Sequence, residues 1–142
     1  MERVSDEMRD LAQKVIEENP EDFDWIDYDN IKFGFLESDK RKHSKGRMIH
    51  GECKKTNTEV KALTGFDFII KFYEPNIAYM TDEQREILMY HELLHATMRN
   101  GGAAIVPHDY IIGEFKKVVD KYGIEWAKPE SCPMEQEGGD DA

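Results

Sequence analysis

Residues 81–95 read TDEQREILMYHELLH, and the interpretation of the whole chain starts from this stretch. Thr81 followed three residues later by Gln84 predicts a capping box, in which the hydroxyl accepts from the first helical turn and the amide side chain reaches back. We therefore expect a helix that begins at or just after Thr81. The pattern predicts that it continues to about Arg99, where Asn100-Gly101-Gly102 ends it.

The helix carries two histidines, His91 and His95, in the pattern HELLH. Side chains four positions apart lie one above the other on a helix, so both imidazoles can reach one metal ion. Glu92 lies next to them and can act as a base without binding the metal, as in metal-assisted hydrolases. The pattern is short enough to arise by chance, so a metal site also needs a third ligand. The helical face that is expected to point inward consists of Ile87, His91, Leu94, His95 and Met98.

The third ligand is expected downstream, where small residues turn the chain back after the helix. His108 lies on this return path, and three imidazoles plus a water give the open tetrahedral site of catalytic zinc. Glu114 is the rival third ligand. Asp109 is a good N-cap for a second helix, which Gly123 would end, and it could instead accept a hydrogen bond from an imidazole. The second helix has an apolar face made of Tyr110, Ile111, Phe115, Val118, Val119 and Tyr122.

The remaining patterns predict an α+β fold, in which a small mixed or antiparallel sheet packs against an N-terminal helix and the HELLH helix. Residues 4–18 have the apolar spacing of a helix, with Ser5 as N-cap and Asn19-Pro20 as the stop. Residues 31–53 suggest a hairpin with a long basic tip. Residues 66–73 form the most β-rich stretch and are expected to be the central strand, and residues 76–80 a short extended edge.

Length and composition limit the number of domains and the kinds of protein that the chain can be. The 142 residues suit one domain, which we place at 1–126, followed by an acidic tail at 127–142 that we expect to be disordered. No apolar run approaches the length of a membrane span, and MERVSDEMRD is unlike a signal peptide, which together favour a cytoplasmic location. Cys53 and Cys132 are interpreted as two reduced thiols.

The net charge of −11 argues against a general nucleic-acid binder, but the charge is uneven. Residues 1–30 hold eleven acids and three bases, whereas residues 31–61 hold nine bases and four acids. The basic stretch from Lys40 to Lys61 is therefore the only support for contact with nucleic acid. A solvated charged loop is the commoner meaning of such a run.

The chain resembles the phage metallopeptidases, small HExxH proteins of bacteriophages and bacteria. The resemblance rests on FDFII at 66–70, YHELLH at 90–95, PHD at 107–109, Phe115 and YGIEW at 122–126. It implies a minimal zincin-like fold, one zinc ion bound at His91, His95 and His108, and Glu92 as catalytic base. The chain is more distantly similar to SprT-like proteases.

These observations lead to a hypothesis and two alternatives. The hypothesis is a zinc metallopeptidase that cleaves a protein or peptide substrate, with Glu92 as general base and Tyr110 as a candidate group that stabilises the oxyanion. The first alternative is a SprT-like protease recruited to DNA. The second is a non-catalytic phage protein, stabilised by zinc, that binds a host protein; if the chain is of phage origin, its location is the host cytoplasm.

Overall fold

The computed structural model describes residues 1–109 and 114–128. It is an α+β fold built around one four-stranded mixed sheet. The helices are α1 (Asp6–Glu18), α2 (Pro20–Phe23), α3 (Thr58–Thr64), α4 (Glu74–Ile77), α5 (Asp82–Leu94) and α6 (Lys116–Tyr122). The strands are β1 (Glu2–Val4), β2 (Phe33–Ser38), β3 (His43–Ser44), β4 (Arg47–Met48), β5 (Gly51–Lys55), β6 (Phe68–Tyr73), β7 (Ala96–Arg99) and β8 (Gly102–Ile105).

The four-stranded sheet has the order β1-β2-β6-β5, with β6 inside it as predicted for residues 66–73. Strand β6 pairs in parallel with β2 and antiparallel with β5. Phe68, Ile70 and Phe72, at alternate positions of β6, are buried, as expected when one face of a strand lies in the core. The core side chains contributed by α1 and α5 include Met8, Ala12, Val15, Ile16, Ile87, Leu88, Met89, Tyr90 and Leu93.

The N-terminal helix agrees with its predicted pattern except at its start. The Ser5 hydroxyl accepts from the Met8 amide at 3.1 Å, which satisfies a free N–H of the first turn of α1. Val4, which we counted on the apolar face of this helix, instead lies in β1 and is exposed. Strand β1 pairs antiparallel with β2, so the main-chain groups before Ser5 are used by the sheet.

The predicted hairpin over residues 31–53 is wrong. Strands β2 and β5 do not pair with each other, because the more apolar β6 lies between them. The basic tip between them instead forms its own short hairpin from β3 and β4. Residues 76–80 are not an extended edge either: α4 starts at Glu74, and a proline is tolerated in the first turn of a helix.

The HELLH helix is shorter than predicted. Helix α5 begins with the predicted capping box but ends at Leu94, and β7 and β8 follow as an antiparallel hairpin. Asn100 and Gly101 have φ angles of 53° and 78°, the left-handed conformation that a two-residue hairpin turn requires. Asn-Gly here is a hairpin turn and not a helix stop, so Met98 belongs to a strand and not to the helical face.

The second helix also begins later than predicted. Helix α6 starts at Lys116 and not at Asp109, while Gly123 ends it as predicted. Ala127, the first residue of the expected tail, is buried, and its carbonyl accepts from the Tyr79 hydroxyl. Residues 129–142 and the candidate Tyr110 lie outside the described residues.

Within the ranges described, no helix has the length and apolar character needed to cross a membrane.

Candidate metal centre

Helix α5 supplies His91 and Glu92 from the interior of the protein. It is buried on several sides, since Gln84, Ile87, Met89 and Leu93 all have little exposed surface. The capping box fixes its first turn: the Thr81 hydroxyl accepts from the Gln84 amide at 3.1 Å, and Gln84 Oε1 accepts from the Thr81 amide at 2.9 Å. A helix held at its start and along its length gives the site a rigid base.

The β7–β8 hairpin brings the third histidine back to the helix. His95, the C-cap residue of α5, and Val106 exchange two hydrogen bonds across the base of this hairpin. The Val106 amide donates to the His95 carbonyl at 2.7 Å, and His95 Nδ1 lies 2.6 Å from the Val106 carbonyl oxygen. His108, two residues further on, then lies beside both helix histidines.

The three predicted ligands, His91, His95 and His108, come together in the structure. Each offers one ring nitrogen, and these three atoms lie within 4.8 Å of one another. The Nε2 atoms of His91 and His108 are 3.0 Å apart. In a tetrahedral zinc site with Zn–N bonds of about 2.0–2.1 Å, the nitrogens lie about 3.3 Å from one another. The His91–His108 pair is close to this spacing, and the three imidazoles are a donor set that could hold a metal ion.

The protonation of the imidazoles favours metal binding. Because the Val106 carbonyl can only accept, Nδ1 of His95 carries the proton and Nε2 is left free to bind a metal. Burial, with His91 and His108 nearby, lowers the pKa of His95 to about 4. Burial and His91 also lower the pKa of His108. Both rings are therefore neutral at pH 7, which is the form that ligates.

Glu114, the rival third ligand, contacts the back of His91. Its Oε1 lies 2.7 Å from Nδ1 of His91, the nitrogen that points away from His108, although the ring N–H is not aimed straight at the oxygen. The same carboxylate accepts from the Phe115 amide at 2.7 Å and from Trp126 Nε1 at 3.2 Å. Burial lowers the pKa of His91, but Glu114 and Glu92 outweigh that effect and raise it. The position suits a carboxylate that orients a ligand.

Asp109 does not contact an imidazole in the way that we considered from the sequence. Its Oδ2 accepts from the Lys116 amide at 2.6 Å, so it satisfies a free N–H at the start of α6 from seven residues upstream. The role of orienting an imidazole, which we weighed for Asp109, is thus better matched by Glu114. Sequence reasoning missed this use of Glu114 because no spacing rule links it to His91.

Glu92 is buried beside the three imidazoles. Its Oε2 lies 4.0 Å from His91 Nε2, while Oε1 has no hydrogen-bond partner among the described residues. Burial raises the pKa of Glu92 to about 7, and the acidic groups Glu114 and Glu52 also raise it. Gly51 makes room for the carboxylate, since a Cβ there would lie 3.3 Å from Glu92 Oε2. An unpaired buried carboxylate with a pKa near neutrality is typical of a catalytic base.

An open cleft of about 390 Å³ gives access to these side chains. Gly51, Glu52 and Cys53 of the edge strand β5 line one side, and Ile105 and Trp126 also line it. Burial and the nearby Glu92 strongly raise the pKa of the Cys53 thiol, so it stays protonated, in agreement with our interpretation of a reduced thiol. Cys132 lies outside the described residues. The candidate ligands and base thus face a groove that borders β5, the edge strand of the sheet among the described residues.

Comparison with known proteins gives a family but no characterised relative. A search of curated proteins and a search of solved structures each gave no significant match. A protein family described as "Putative phage metallopeptidase" matches residues 2–130, which include every element of the fold and all of the candidate site. The chain therefore belongs to this phage metallopeptidase family.

Proposed function

We propose that the protein is a zinc-dependent metallopeptidase that hydrolyses peptide bonds. The observation that carries the proposal is the convergence of His91, His95 and His108 beside the buried carboxylate of Glu92, whose Oε1 has no hydrogen-bond partner among the described residues. Membership of a metallopeptidase family supports it independently. Three neutral imidazoles are a donor set that suits zinc and leaves one position open for water or substrate.

The three histidines would hold one zinc ion through ring nitrogens. Bound there, zinc supplies a Lewis acid that polarises a peptide carbonyl and makes nearby water more acidic. Glu92 accepts a proton from the attacking water and then delivers it to the nitrogen of the leaving amine. In the metal-free protein, burial raises the pKa of the Glu92 carboxyl to about 7, so the group takes up a proton more readily than an exposed glutamate does. Tyr110 stays a candidate for stabilising the oxyanion.

The cleft suggests how a substrate would bind. Strand β5 is at the edge of the sheet, and its residues Gly51 to Cys53 line the cleft. The free main-chain groups of an edge strand can pair with an extended peptide. A substrate in this position would pass over Glu92, because Gly51 lies against that carboxylate. The proposed substrate is therefore an extended segment of protein.

The first experiment compares the purified protein with a Glu92→Gln variant, both loaded with zinc. We expect close to one zinc per chain in both, and hydrolysis of a mixture of cellular proteins that drops at least 10²- to 10⁴-fold in the variant. New N-termini, identified by mass spectrometry, are the readout. Equal cleavage by both proteins would remove Glu92 as the base. If both proteins bind zinc and neither cleaves, the result favours a zinc-stabilised binding protein.

A second experiment separates the two candidates for the third ligand. His108→Ala should lose most of its zinc affinity, measured by competition with a chromogenic chelator, because it removes one of three protein ligands. His43→Ala is the control, since His43 is an exposed histidine of the β3–β4 hairpin. Normal zinc affinity in His108→Ala would exclude His108 as a ligand and favour Glu114.

A further inference from the structure

The β3–β4 hairpin presents two basic side chains to the cleft. Its two-residue turn consists of Lys45 and Gly46, with φ angles of 53° and 77°. Ser44 and Arg47 face each other across the strands, so their side chains lie on the same face. That face points to the cleft, because Ser44, Lys45 and Arg47 line it together with the candidate metal ligands.

The base of this hairpin is fixed to the body of the protein. The Ile49 amide donates to the Lys42 carbonyl at 3.0 Å, which closes the hairpin. The buried amide of Asn76 then donates to the carbonyls of both residues, at 2.9 Å to Lys42 and 2.8 Å to Ile49. One side chain of α4 therefore holds both strands, and the two basic residues keep their place beside the cleft.

The charge of Lys45 and Arg47 is not neutralised by the part of the chain that the structure describes. Glu52, an acidic residue of the cleft wall, is already paired with Lys42 at 2.9 Å and also accepts from Tyr73 at 2.8 Å. Glu92 is buried at the base of the cleft. By contrast, neither Lys45 nor Arg47 has a carboxylate partner within residues 1–109 and 114–128. Outside these ranges, residues 110–113 contain no charged side chain, whereas residues 129–142 contain five acidic ones.

We propose that Lys45 and Arg47 select substrates with acidic side chains close to the bond that is cut. This inference rests on the proposed peptidase function and names its substrate class. An extended peptide beside β5 would place alternate side chains towards the hairpin, where a glutamate or aspartate meets two cations that have no carboxylate partner among the described residues. The preference is notable in a protein of net charge −11, which otherwise repels acidic partners.

A binding experiment tests the preference without depending on cleavage. The zinc-loaded Glu92→Gln protein is titrated into labelled peptides that are identical except for two central residues, which are Glu, Gln or Lys. We expect the Glu peptide to bind about 5- to 30-fold more tightly than the Gln peptide, as two partly exposed ion pairs would give, and the Lys peptide to bind most weakly. Equal affinities of the Glu and Gln peptides would overturn the proposal.

Charge reversal identifies the residues responsible. Adding Lys45→Glu and Arg47→Glu to this protein should reverse the order, so that the Lys peptide binds best. The matched control carries Lys32→Glu and Arg99→Glu, the same change in charge at two exposed residues that neither line the cleft nor lie on β5. Reversal by the control as well would mean that net charge, and not the hairpin, sets the preference, and would overturn the assignment.

A competition experiment tests whether the hairpin binds peptide or nucleic acid. Cleavage is measured in a separate experiment. If a single-stranded oligonucleotide displaces the Glu peptide at a lower concentration than an unlabelled Glu peptide does, with a steep salt dependence, the hairpin binds nucleic acid and the proposal is wrong. Cleavage of the same peptides by the protein with Glu92 intact tests the peptidase function itself. Charge-dependent binding without cleavage would support the hairpin assignment and contradict only the peptidase function.

Discussion

At the scale of single residues, Glu114 shows how a side chain outside the metal-ligand set contributes to the site. It lies 2.7 Å from Nδ1 of His91 and is itself held by the Phe115 amide and the Trp126 indole. A carboxylate in this position makes Nε2 of the ring a better ligand and restricts the ring's rotation. We therefore propose Glu114 as a positioning residue, whose removal should affect metal binding more than the fold.

Glu114→Gln should weaken zinc binding by about 10- to 100-fold, because the charge behind His91 is lost while the size of the side chain is kept. Zinc affinity is measured by chelator competition, and the melting temperature of the metal-free protein should change little. Asp109→Asn makes the same change in charge on the neighbouring segment and is the control, since Asp109 contacts the Lys116 amide and not His91. Unchanged zinc affinity in Glu114→Gln would contradict the positioning role.

The residue scale also shows what sequence reasoning can find at a site. The HELLH pattern identified two candidate ligands and the base, because helix geometry alone places positions 91, 92 and 95 next to one another. The prediction that His108 joins them agrees with the geometry. We had expected a loop of small residues to return the chain, whereas the structure has the β7–β8 hairpin there. Glu114 and Gly51 had no such signal, since their nearness to α5 depends on tertiary packing.

At the scale of elements, a buried carboxylate at the start of β6 joins three parts of the fold. Asp67 accepts from the Lys32 amide, just before β2, at 2.9 Å. Its other oxygen lies 2.5 Å from the Lys61 ammonium of α3. Burial alone would raise the pKa of Asp67, but Lys61 and the Lys32 amide outweigh it, and the pKa is lowered.

Asp67→Asn should lower the free energy of unfolding by about 1–3 kcal/mol at pH 7, because a charged hydrogen-bond acceptor is lost at a buried position. A lowered pKa means that the folded state favours the ionised carboxylate, so this stabilisation is present above the ordinary pKa of Asp and is lost as the pH falls through the lowered value. Urea unfolding of both proteins at pH 7, 5, 4 and 3 measures this. A difference that is the same at pH 3 as at pH 7 would show that the charge of Asp67 does not contribute.

The elements that were predicted correctly are those with local signals. Ser5 and the Thr81–Gln84 pair marked the starts of α1 and α5, and the apolar run at 66–73 marked the central strand. The errors came where local signals allow two outcomes. Asn100-Gly101 can end a helix or turn a hairpin, and the choice depends on whether the flanking residues pair as strands. Which strand pairs with which depends on residues far apart in sequence. No local pattern therefore showed that β6, and not β5, pairs with β2.

At the scale of the whole molecule, the site joins helix α5 to a later part of the chain. We call this part, residues 96–109 and 114–128, the closing segment. Two ligands lie on or at the end of α5, whereas His108, Glu114 and Trp126 follow the β7–β8 hairpin. The closing segment contributes Phe115, Val118 and Ala127 to the hydrophobic core. It is also held by polar contacts, among them the donation of Gln84 Nε2 to the carbonyl of Trp126 at 3.1 Å and the ion pair between Lys117 and Asp22 at 2.6 Å. The core of α1, β6 and α5 contains none of the three histidines.

If the three histidines hold a metal ion, its removal with a chelator should loosen the closing segment, which carries His108, and leave α1 and β6 folded. We expect faster hydrogen exchange at backbone amides of residues 96–109 and 114–128, and unchanged exchange in α1 and β6, because bound ligand stabilises only the states that can hold it. Mass spectrometry of peptides after exchange measures this, with Glu92→Gln treated in the same way as a control that keeps all ligands. Equal acceleration across the core would mean that the metal holds the whole fold together.

The position of the closing segment in the chain also affects synthesis. When residue 95 has been added, the chain contains the complete HELLH pattern but neither His108, Glu114 nor Trp126. At about 5–20 residues per second, the roughly 33 further residues up to Lys128 take about 2 to 7 seconds. A ribosome-bound chain therefore passes through a period in which the base is present and the metal site is incomplete. Under the proposed mechanism, the growing chain stays inactive towards neighbouring nascent proteins during that time.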